Sequence, residues 1–386
     1  GLVWKTINGK KYLVIRWKKS INGKSRIIKE IYVGDLERLA EIIENPMKYV
    51  NATSFTYGTT AAVLHIETMI NLKEIINNVI GHIKNGLSPG DYAIIFIANR
   101  LSDPRSKNGI QEWMKNDFIS TIYRPVTSQG FWNMMERIDE NQIKEILDRI
   151  RNKLISLGYD ASKLFIDASN IYTFMEENEI ARRGYNKKHR YDLNQISYYI
   201  ASNLDYIPFY GESYPGNVFD GKTFSMIIRN IPENAILIFD SGYNSKENIE
   251  LLSGRKYIGS LRPSDNYDLL DIPLEEYENN YYETNKFTLG REHRVIIYYS
   301  EKRKEKELKA LLSKISKTVD KCREIISSGL SNRNEKIMRI LEENHLQETI
   351  IIKNDEIEIN EDHLNAKIDR LGKTILFTNI SNMEAQ

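Results

Sequence analysis

The sequence predicts an α/β protein built around a mixed β-sheet. Two short runs, Leu164-Phe-Ile and Ala235-Ile-Leu-Ile-Phe, are apolar at every position, which is typical of central strands buried on both faces. From the first run onward the pattern follows the order strand, strand, strand, helix, strand, helix. At 386 residues the chain is about twice the usual single-domain length, so we expect two or three domains.

Composition excludes several classes of protein. Lys and Arg number 54 against 53 Asp and Glu, a net charge of +1, so total charge alone does not indicate nucleic-acid binding. The one cysteine, Cys322, excludes an internal disulfide framework and a cysteine-rich zinc site. No run approaches the roughly 18 apolar residues of a membrane span, and the first residues lack the apolar core of a signal peptide. We therefore expect a cytoplasmic protein with no membrane contact.

The N-terminal region, residues 1–47, is basic. Residues 1–30 hold nine Lys and Arg but one acid, Glu30. Residues 12–17 and 26–32 resemble two strands, and Asn22-Gly23 between them is a strong signal for a β-hairpin turn. Such a hairpin could touch phosphates, or it could be a solvated edge strand protected by lysines.

Residues 48–158 are predicted to be mostly helical and to bind DNA. Helical spacing extends over residues 59–83 and again from about Asn141 to Leu157. We expect Ser106 to cap a short helix that carries Ile110, Trp113 and Met114. The apolar run at residues 91–98 has the composition of a strand.

Two aspartates, Asp167 and Asp240, each follow an apolar run of the predicted sheet. If the first and fourth strands are parallel neighbours, the two carboxylates converge at one edge. Paired carboxylates suit Mg²⁺ or Mn²⁺, which prefer oxygen ligands and can activate a water or a 3′-hydroxyl against a phosphodiester. The alternative is that these acids cap helices or form turns, as Asp240-Ser-Gly could.

Residues 263–370 are predicted to form an insertion domain with a long helix. Leu308, Leu312, Ile315, Val319, Cys322 and Ile326 recur at alternating spacings of four and three, which indicates a coiled-coil-like seam. Cys322 lies in this seam, so we interpret it as a small buried hydrophobe rather than a reactive thiol.

Several blocks occur in a fixed order between about residues 95 and 260. They are Asn99-Arg-Leu-Ser-Asp-Pro-Arg-Ser-Lys, Asp167-Ala-Ser, Gly184 through Gln195, Pro215-Gly-Asn217 and Asp240-Ser-Gly-Tyr-Asn-Ser. Together they resemble the DDE transposases of bacterial and archaeal insertion sequences, in the group whose third acid lies in a Tyr-x2-Arg-x3-Glu-x6-Lys signature. The resemblance implies an RNase H-like catalytic core (residues 159–262 and 371–386) that binds two divalent metals, with Asp167 and Asp240 as the first two acids.

The third catalytic acid is unknown. The strand at residues 372–379 resembles the one that precedes the family's glutamate helix, yet the sequence ends at Gln386 without the signature. Glu384 lies too close to that strand and lacks the signature's Tyr and Arg. We therefore expect a C-terminally truncated copy with an incomplete core.

A basic segment shortly after the first aspartate is predicted to bind DNA through Arg182, Arg183, Lys187, Lys188 and Arg190. Phosphate contacts there would give a salt-dependent, largely sequence-independent affinity. The alternative is an ordinary solvated loop.

The resemblance implies a transposase that cuts and joins double-stranded DNA at insertion-sequence ends, located with the nucleoid in the cytoplasm and dimeric when bound to DNA. An inactive remnant that still binds DNA shares all of these residues. Another RNase H-like nuclease receives no support from the Pro-Gly-Asn and Asp-x-Gly blocks.

Overall fold

The structure is a computed structural model that describes residues 1–21, 24–49, 53–83, 85–185, 190, 192–218, 220–328, 332–353 and 355–381. The chain divides into two compact units, Gly1–Ile150 and Arg151–Gln386. None of the helices in these described ranges is long and apolar enough to cross a membrane.

The first unit begins with a three-stranded antiparallel sheet in the order β1-β2-β3. Its strands are β1 (Leu2–Ile7), β2 (Lys10–Ile21) and β3 (Lys24–Gly34), and helix α1 (Leu36–Glu44) follows them. The predicted hairpin is therefore confirmed, although its turn residues 22 and 23 lie outside the described residues. Strand β1, which the sequence pattern missed, pairs with β2 through residues 10–15 only.

Helices form the rest of this unit. They are α2 (Gly58–Ile70), α3 (Leu72–Ile80), α4 (Pro89–Ser102), α5 (Ile110–Asn116), α6 (Ser128–Met135) and α7 (Glu140–Ser156), and the unit boundary falls within α7. Their core contains the buried side chains of Ile94, Ile95, Ile110, Met114, Ile119 and Phe131.

Two local predictions in this region were wrong. The run at residues 91–98 is not a strand but the middle of α4, which begins with a capping box between Ser88 and Asp91. The fully buried side chains of α4 follow helical spacing, but its half-buried positions Tyr92, Phe96 and Ile97 are also apolar. The sequence therefore shows no helical stripe and cannot be told from a buried strand by periodicity. Ser106 does not cap α5, whose N-cap is Gly109; the Ser106 carbonyl instead accepts the first turn's N–H groups.

The second unit is built on an eight-stranded mixed sheet, and this confirms the predicted fold class. Its elements up to the long helix are β4 (Lys163–Thr173), β5 (Asn194–Ser202), β6 (Pro208–Pro215), α8 (Phe224–Asn230), β7 (Ile236–Phe239), α9 (Lys246–Leu251), β8 (Tyr257–Ser260), α10 (Tyr267–Leu270), β9 (Tyr281–Thr288) and β10 (Arg291–Tyr299). The elements that follow are α11 (Glu301–Ser327), α12 (Arg333–Glu343), β11 (Ile350–Lys353), β12 (Glu356–Ile359), α13 (Glu361–Arg370) and β13 (Lys373–Thr378).

The strand order of this sheet is β6-β5-β4-β7-β8-β13-β10-β9. Strands β4, β7 and β8 are parallel neighbours, and the other pairs in the sheet are antiparallel. Strands β9 and β10 come from residues 263–370, so part of the predicted insertion lies in the same sheet as β4.

The two faces of the sheet differ in how far they are covered. One face carries a cluster of buried aromatic rings from Phe239, Tyr257 and Phe377, and Phe224 of α8 packs on Phe239. On the other face, Phe165 and Ile200 remain 39% and 38% exposed. This second face is therefore apolar but only partly covered by the described residues.

Helices α11 and α12 pack together outside the sheet. Their shared core contains Ile315, Cys322, Ile337 and Leu341, together with Leu346 and Ile350 from the segment that follows. Cys322 is fully buried as predicted, and burial raises the pKa of its thiol. The predicted seam is correct at its C-terminal end but wrong at Leu312, which is 48% exposed while Leu311 packs on the core.

We expect the three-stranded sheet to lose stability in acid because of Glu30. Hydrogen bonds from Arg16 and Lys5 lower the pKa of Glu30 from 4.5 to about 2. A lowered carboxylate pKa stabilises the fold above the unfolded-state pKa, so this contribution is lost as the pH falls from 4.5 toward about 2. Fluorescence of Trp4 and Trp17 during acid titration should report the loss of stability. The Glu30→Gln variant should lose less stability over this pH range than the wild type does. Superimposable curves for wild type and variant would contradict this account.

The α11–α12 core should be sensitive to truncation of its buried side chains. Ile337→Ala removes a side chain that is 4% exposed and should cost about 2–5 kcal/mol. Its neighbour Met338 is 50% exposed, and Met338→Ala should change stability by less than about 0.5 kcal/mol. Urea denaturation followed by circular dichroism distinguishes them; equal midpoints for the two variants would refute the packing.

Candidate active site

Asp167 and Asp240 lie at matching positions on neighbouring parallel strands. Strands β4 and β7 align Ile166 with Phe239, and each aspartate is the next residue along its chain. Asp240 continues the extended backbone beyond β7, with φ −85° and ψ 176°. Because adjacent strands lie about 4.8 Å apart, this register brings the two residues side by side on one face of the sheet.

Both aspartates are exposed to solvent. Asp167 lies on the partly covered face, and its cross-strand neighbour is Ile200 of β5. A solvated carboxylate needs no metal to offset the cost of burial. A cation would therefore be favoured here by the pairing of two oxygen donors and not by relief of a burial cost.

Asp240 also has a local structural role, as the alternative interpretation predicted. Its Oδ1 accepts a hydrogen bond of 2.9 Å from the backbone N–H of Gly242 and caps a short 3-10 helix, Ser241–Tyr243. This cap uses one carboxylate oxygen, so Oδ2 can still bind a cation. Capping and metal binding are compatible at this residue.

The loop after Asp240 is held by side-chain amides. Asn248 donates to the carbonyls of Tyr243 and Gly221, at 2.8 and 2.9 Å, and Asn244 donates to the carbonyl of Ser260 at 2.8 Å. Ser245 caps α9, as predicted. These contacts fix the backbone on which Asp240 sits, and a fixed backbone keeps a catalytic group in place.

The described residues bring two carboxylates to this site and no third acid. Across the part of the chain that the structure describes, no group of three or more His, Cys, Asp and Glu could hold a metal ion. Glu384 lies outside the described residues. The two aspartates supply the hard oxygen donors that Mg²⁺ and Mn²⁺ prefer, so they fit a cation as a partial ligand set.

A histidine in β10 belongs to the core. His293 is 1% exposed, and its Nε2 lies 2.8 Å from the hydroxyl of Tyr257. Burial lowers the pKa of this imidazole. Side chains along a strand alternate between the two faces of the sheet. The register of β10 with β13 places His293 on the face that carries the aromatic rings, opposite the face of Asp167.

The predicted basic segment is partly paired within the protein. Lys187 and Lys188 lie outside the described residues. Arg190 forms a bidentate ion pair with Asp192, with both N–O distances at 2.8 Å, and this lowers the pKa of the Asp192 carboxyl. Arg182 donates to the carbonyls of Asn178 and Ala181. Arg183 is exposed and has no ion-pair partner among the described residues.

Gln195 anchors this basic segment to the sheet, a role that the sequence did not reveal. Its side chain is 2% exposed and donates to the carbonyls of Gly216 and Tyr185 at 2.7 and 3.1 Å, while its backbone pairs with Arg182. A Cβ on Gly184 would lie 2.1 Å from the Gly216 carbonyl, so this approach requires glycine. Two separate sequence blocks therefore meet at Gln195.

The anchor lies beyond the acids toward the carboxyl end of β4, and the Gln195 side chain is on the opposite, covered face of the sheet. Gln195 pairs with Tyr172 of β4, five residues beyond Asp167 toward the carboxyl end of the strand. At the usual rise per residue this separation is about 16 Å along the strand.

Comparison with known proteins agrees with this arrangement. The family model described as "Transposase DDE domain" matches residues 158–385, which is more than half of the chain. No curated protein matches the sequence significantly. The matched range contains the mixed sheet, both aspartates and the basic segment, and it supports the RNase H-like interpretation of the sheet. The chain belongs to the DDE transposase family.

Proposed function

We propose that this transposase cleaves and joins double-stranded DNA at the ends of an insertion sequence, with Mg²⁺ or Mn²⁺ as cofactor. The observation that supports the proposal is the register of β4 and β7, which pairs Ile166 with Phe239, the residues directly before Asp167 and Asp240, inside the range matched by the family model.

Asp167 and Asp240 would hold the cation jointly through their carboxylate oxygens. When bound, such a cation supplies activation of the attacking water or 3′-hydroxyl and neutralises charge at the scissile phosphate. The aspartates are exposed, so a phosphodiester can reach them without rearrangement of the described core. The amide contacts of Asn244 and Asn248 orient the Asp240 loop before substrate arrives.

DNA would be held in part by the basic segment that Gln195 anchors. Arg183 is the strongest candidate among its described residues, because Arg190 is paired with Asp192 and Arg182 binds backbone carbonyls. The family also suggests that two copies act together on DNA.

The alternative function is DNA binding without cleavage. One observation favours it: across the described residues the site has two carboxylates and no third acid ligand. A site with too few ligands holds its metals weakly. The two functions share every residue discussed above, so only an activity measurement separates them.

Removal of either aspartate should abolish strand cleavage. With DNA that carries the element's terminal repeats and Mg²⁺ or Mn²⁺, Asp167→Asn and Asp240→Asn should reduce nicking by at least about 100-fold, since metal-assisted charge stabilisation is worth several kcal/mol. Asp369→Asn on α13, also exposed, is the matched control and should nick at the wild-type rate. Tight DNA binding by the wild type with no cleavage in either metal would contradict the proposed cleavage activity and support DNA binding as the function.

Arg183→Ala should weaken DNA binding uniformly across sequences. Loss of one phosphate contact should reduce the slope of log affinity against log salt by about 0.9. Arg229→Ala, an exposed arginine on α8, serves as the control and should leave the slope unchanged. Fluorescence anisotropy at several salt concentrations measures both, and an unchanged slope for Arg183→Ala would exclude a phosphate contact there.

A further inference from the structure

We propose that the outer part of the β2–β3 hairpin is a DNA-binding arm that contacts the major groove and backbone of duplex DNA. We call this part the basic ribbon and define it as residues 18–21 and 24–29. The inference rests on the proposed function only in taking DNA as the partner, and it concerns residues of the first unit, whereas the two aspartates belong to the second.

The basic ribbon is a free-standing two-stranded structure. Strand β1 accompanies β2 only through residues 10–15, so β2 and β3 continue beyond Arg16 without a third strand. A register shift between Trp17 and Lys18 marks the start of the ribbon. Every residue of the ribbon is exposed. The register shift at its start should bend the ribbon and increase its twist.

The dimensions of the ribbon fit a groove of DNA. From Trp17 to Ile21 the strand extends for about 13 Å at the usual rise per residue. The major groove is about 12 Å wide and 8.5 Å deep, and it admits a two-stranded β-ribbon. The ribbon is thus long enough for its outer end to reach the edges of the nucleobases while the end near Trp17 stays outside the groove.

The ribbon carries five cations and no acid: Lys18, Lys19, Lys24, Arg26 and Lys29. Lys19 lies directly opposite Arg26 in the ladder, and like charges in this position destabilise a sheet. The nearest acid, Glu30, is already bound by Arg16 and by Lys5, the latter at 3.2 Å. The ribbon cations therefore have no ion-pair partner among the described residues, and a polyanion would relieve their mutual repulsion.

Exposed apolar side chains separate this proposal from a simple solvated edge strand. Lysines alone are a known protection of sheet edges. The ribbon, however, also exposes Ile21, Ile27 and Ile28 at 41%, 49% and 58%, and such residues favour aggregation rather than prevent it. Apolar side chains beside cations suit the major groove, where the former can contact thymine methyl groups and the latter the phosphates.

Neutralisation of the ribbon should reduce DNA affinity and its dependence on salt. The test variant is Lys18→Ala/Lys19→Ala/Lys24→Ala/Arg26→Ala in the full chain, with a labelled mixed-sequence duplex and EDTA to prevent cleavage. Four lost phosphate contacts should lower the log–log salt slope by up to about 3.6 and weaken binding at least tenfold at moderate salt. The control removes four exposed lysines of α11, Lys302, Lys306, Lys309 and Lys317, and should bind as the wild type does.

Because this assay needs neither metal nor chemistry, its outcome is independent of whether the chain cleaves DNA. Equal affinity and slope for the ribbon variant and the wild type would overturn the proposal. Tighter ribbon-dependent binding of single-stranded RNA than of duplex DNA would also overturn it.

A second measurement locates the ribbon on DNA directly. The native Cys322 is fully buried, so Ser20→Cys introduces an accessible thiol on the ribbon. An iron-chelate label at that thiol should cut bound duplex DNA, whereas the same label on Ser313→Cys, exposed on α11, should cut little. Equal cleavage from the two positions would contradict the proposal, even if the charge variant fails to fold.

Discussion

The parallel pairing of β4 with β7 is the contact on which the account of this transposase depends. It aligns Ile166 with Phe239 and thereby sets Asp167 beside Asp240. The side chains of Ile166 and Phe239 point into the covered face, where they are 4% exposed each. Since strand side chains alternate, the same register that buries these apolar residues turns the two acids to the open face. A slip of one residue would bury a carboxylate and expose a core side chain.

The sequence predicted those elements in which the spacing of apolar residues matches the side of the element that is buried. The apolar runs of β4 and β7 identified two strands of the sheet, although only one face is fully buried, since Phe165 of β4 is 39% exposed. The helix at residues 224–230 shows a clean stripe of Phe224, Ile227 and Ile228. The sequence pattern failed at α4, where apolar residues at half-buried positions hide the stripe. It also missed the role of Gln195, because a buried amide that joins two distant segments leaves no local periodic signal. The placement of β9 and β10 in the catalytic sheet is likewise a long-range pairing that local pattern does not carry.

The number of Lys and Arg residues in a basic sequence segment is larger than the number of cations that are free to bind a ligand. Arg190 is paired with Asp192, and Arg16 and Lys5 are paired with Glu30. A count of residues 181–190 omits Asp192, and a count of residues 1–30 does not show that its one acid, Glu30, binds two of the cations. Arg183 and the five cations of the basic ribbon have no ion-pair partner among the described residues. The near-zero net charge of +1 thus coexists with local surfaces that are strongly positive.

The central claim is that Asp167 and Asp240 share one divalent cation, and a Mn²⁺ titration followed by electron paramagnetic resonance tests it most directly. The affinity should be compared among the wild type, Asp167→Asn, Asp240→Asn and the double variant. If one ion is shared, each single variant should lose nearly as much affinity as the double variant, because contacts to a common ligand are not additive. Losses that simply add, or Mn²⁺ binding unchanged in all three variants, would contradict the claim.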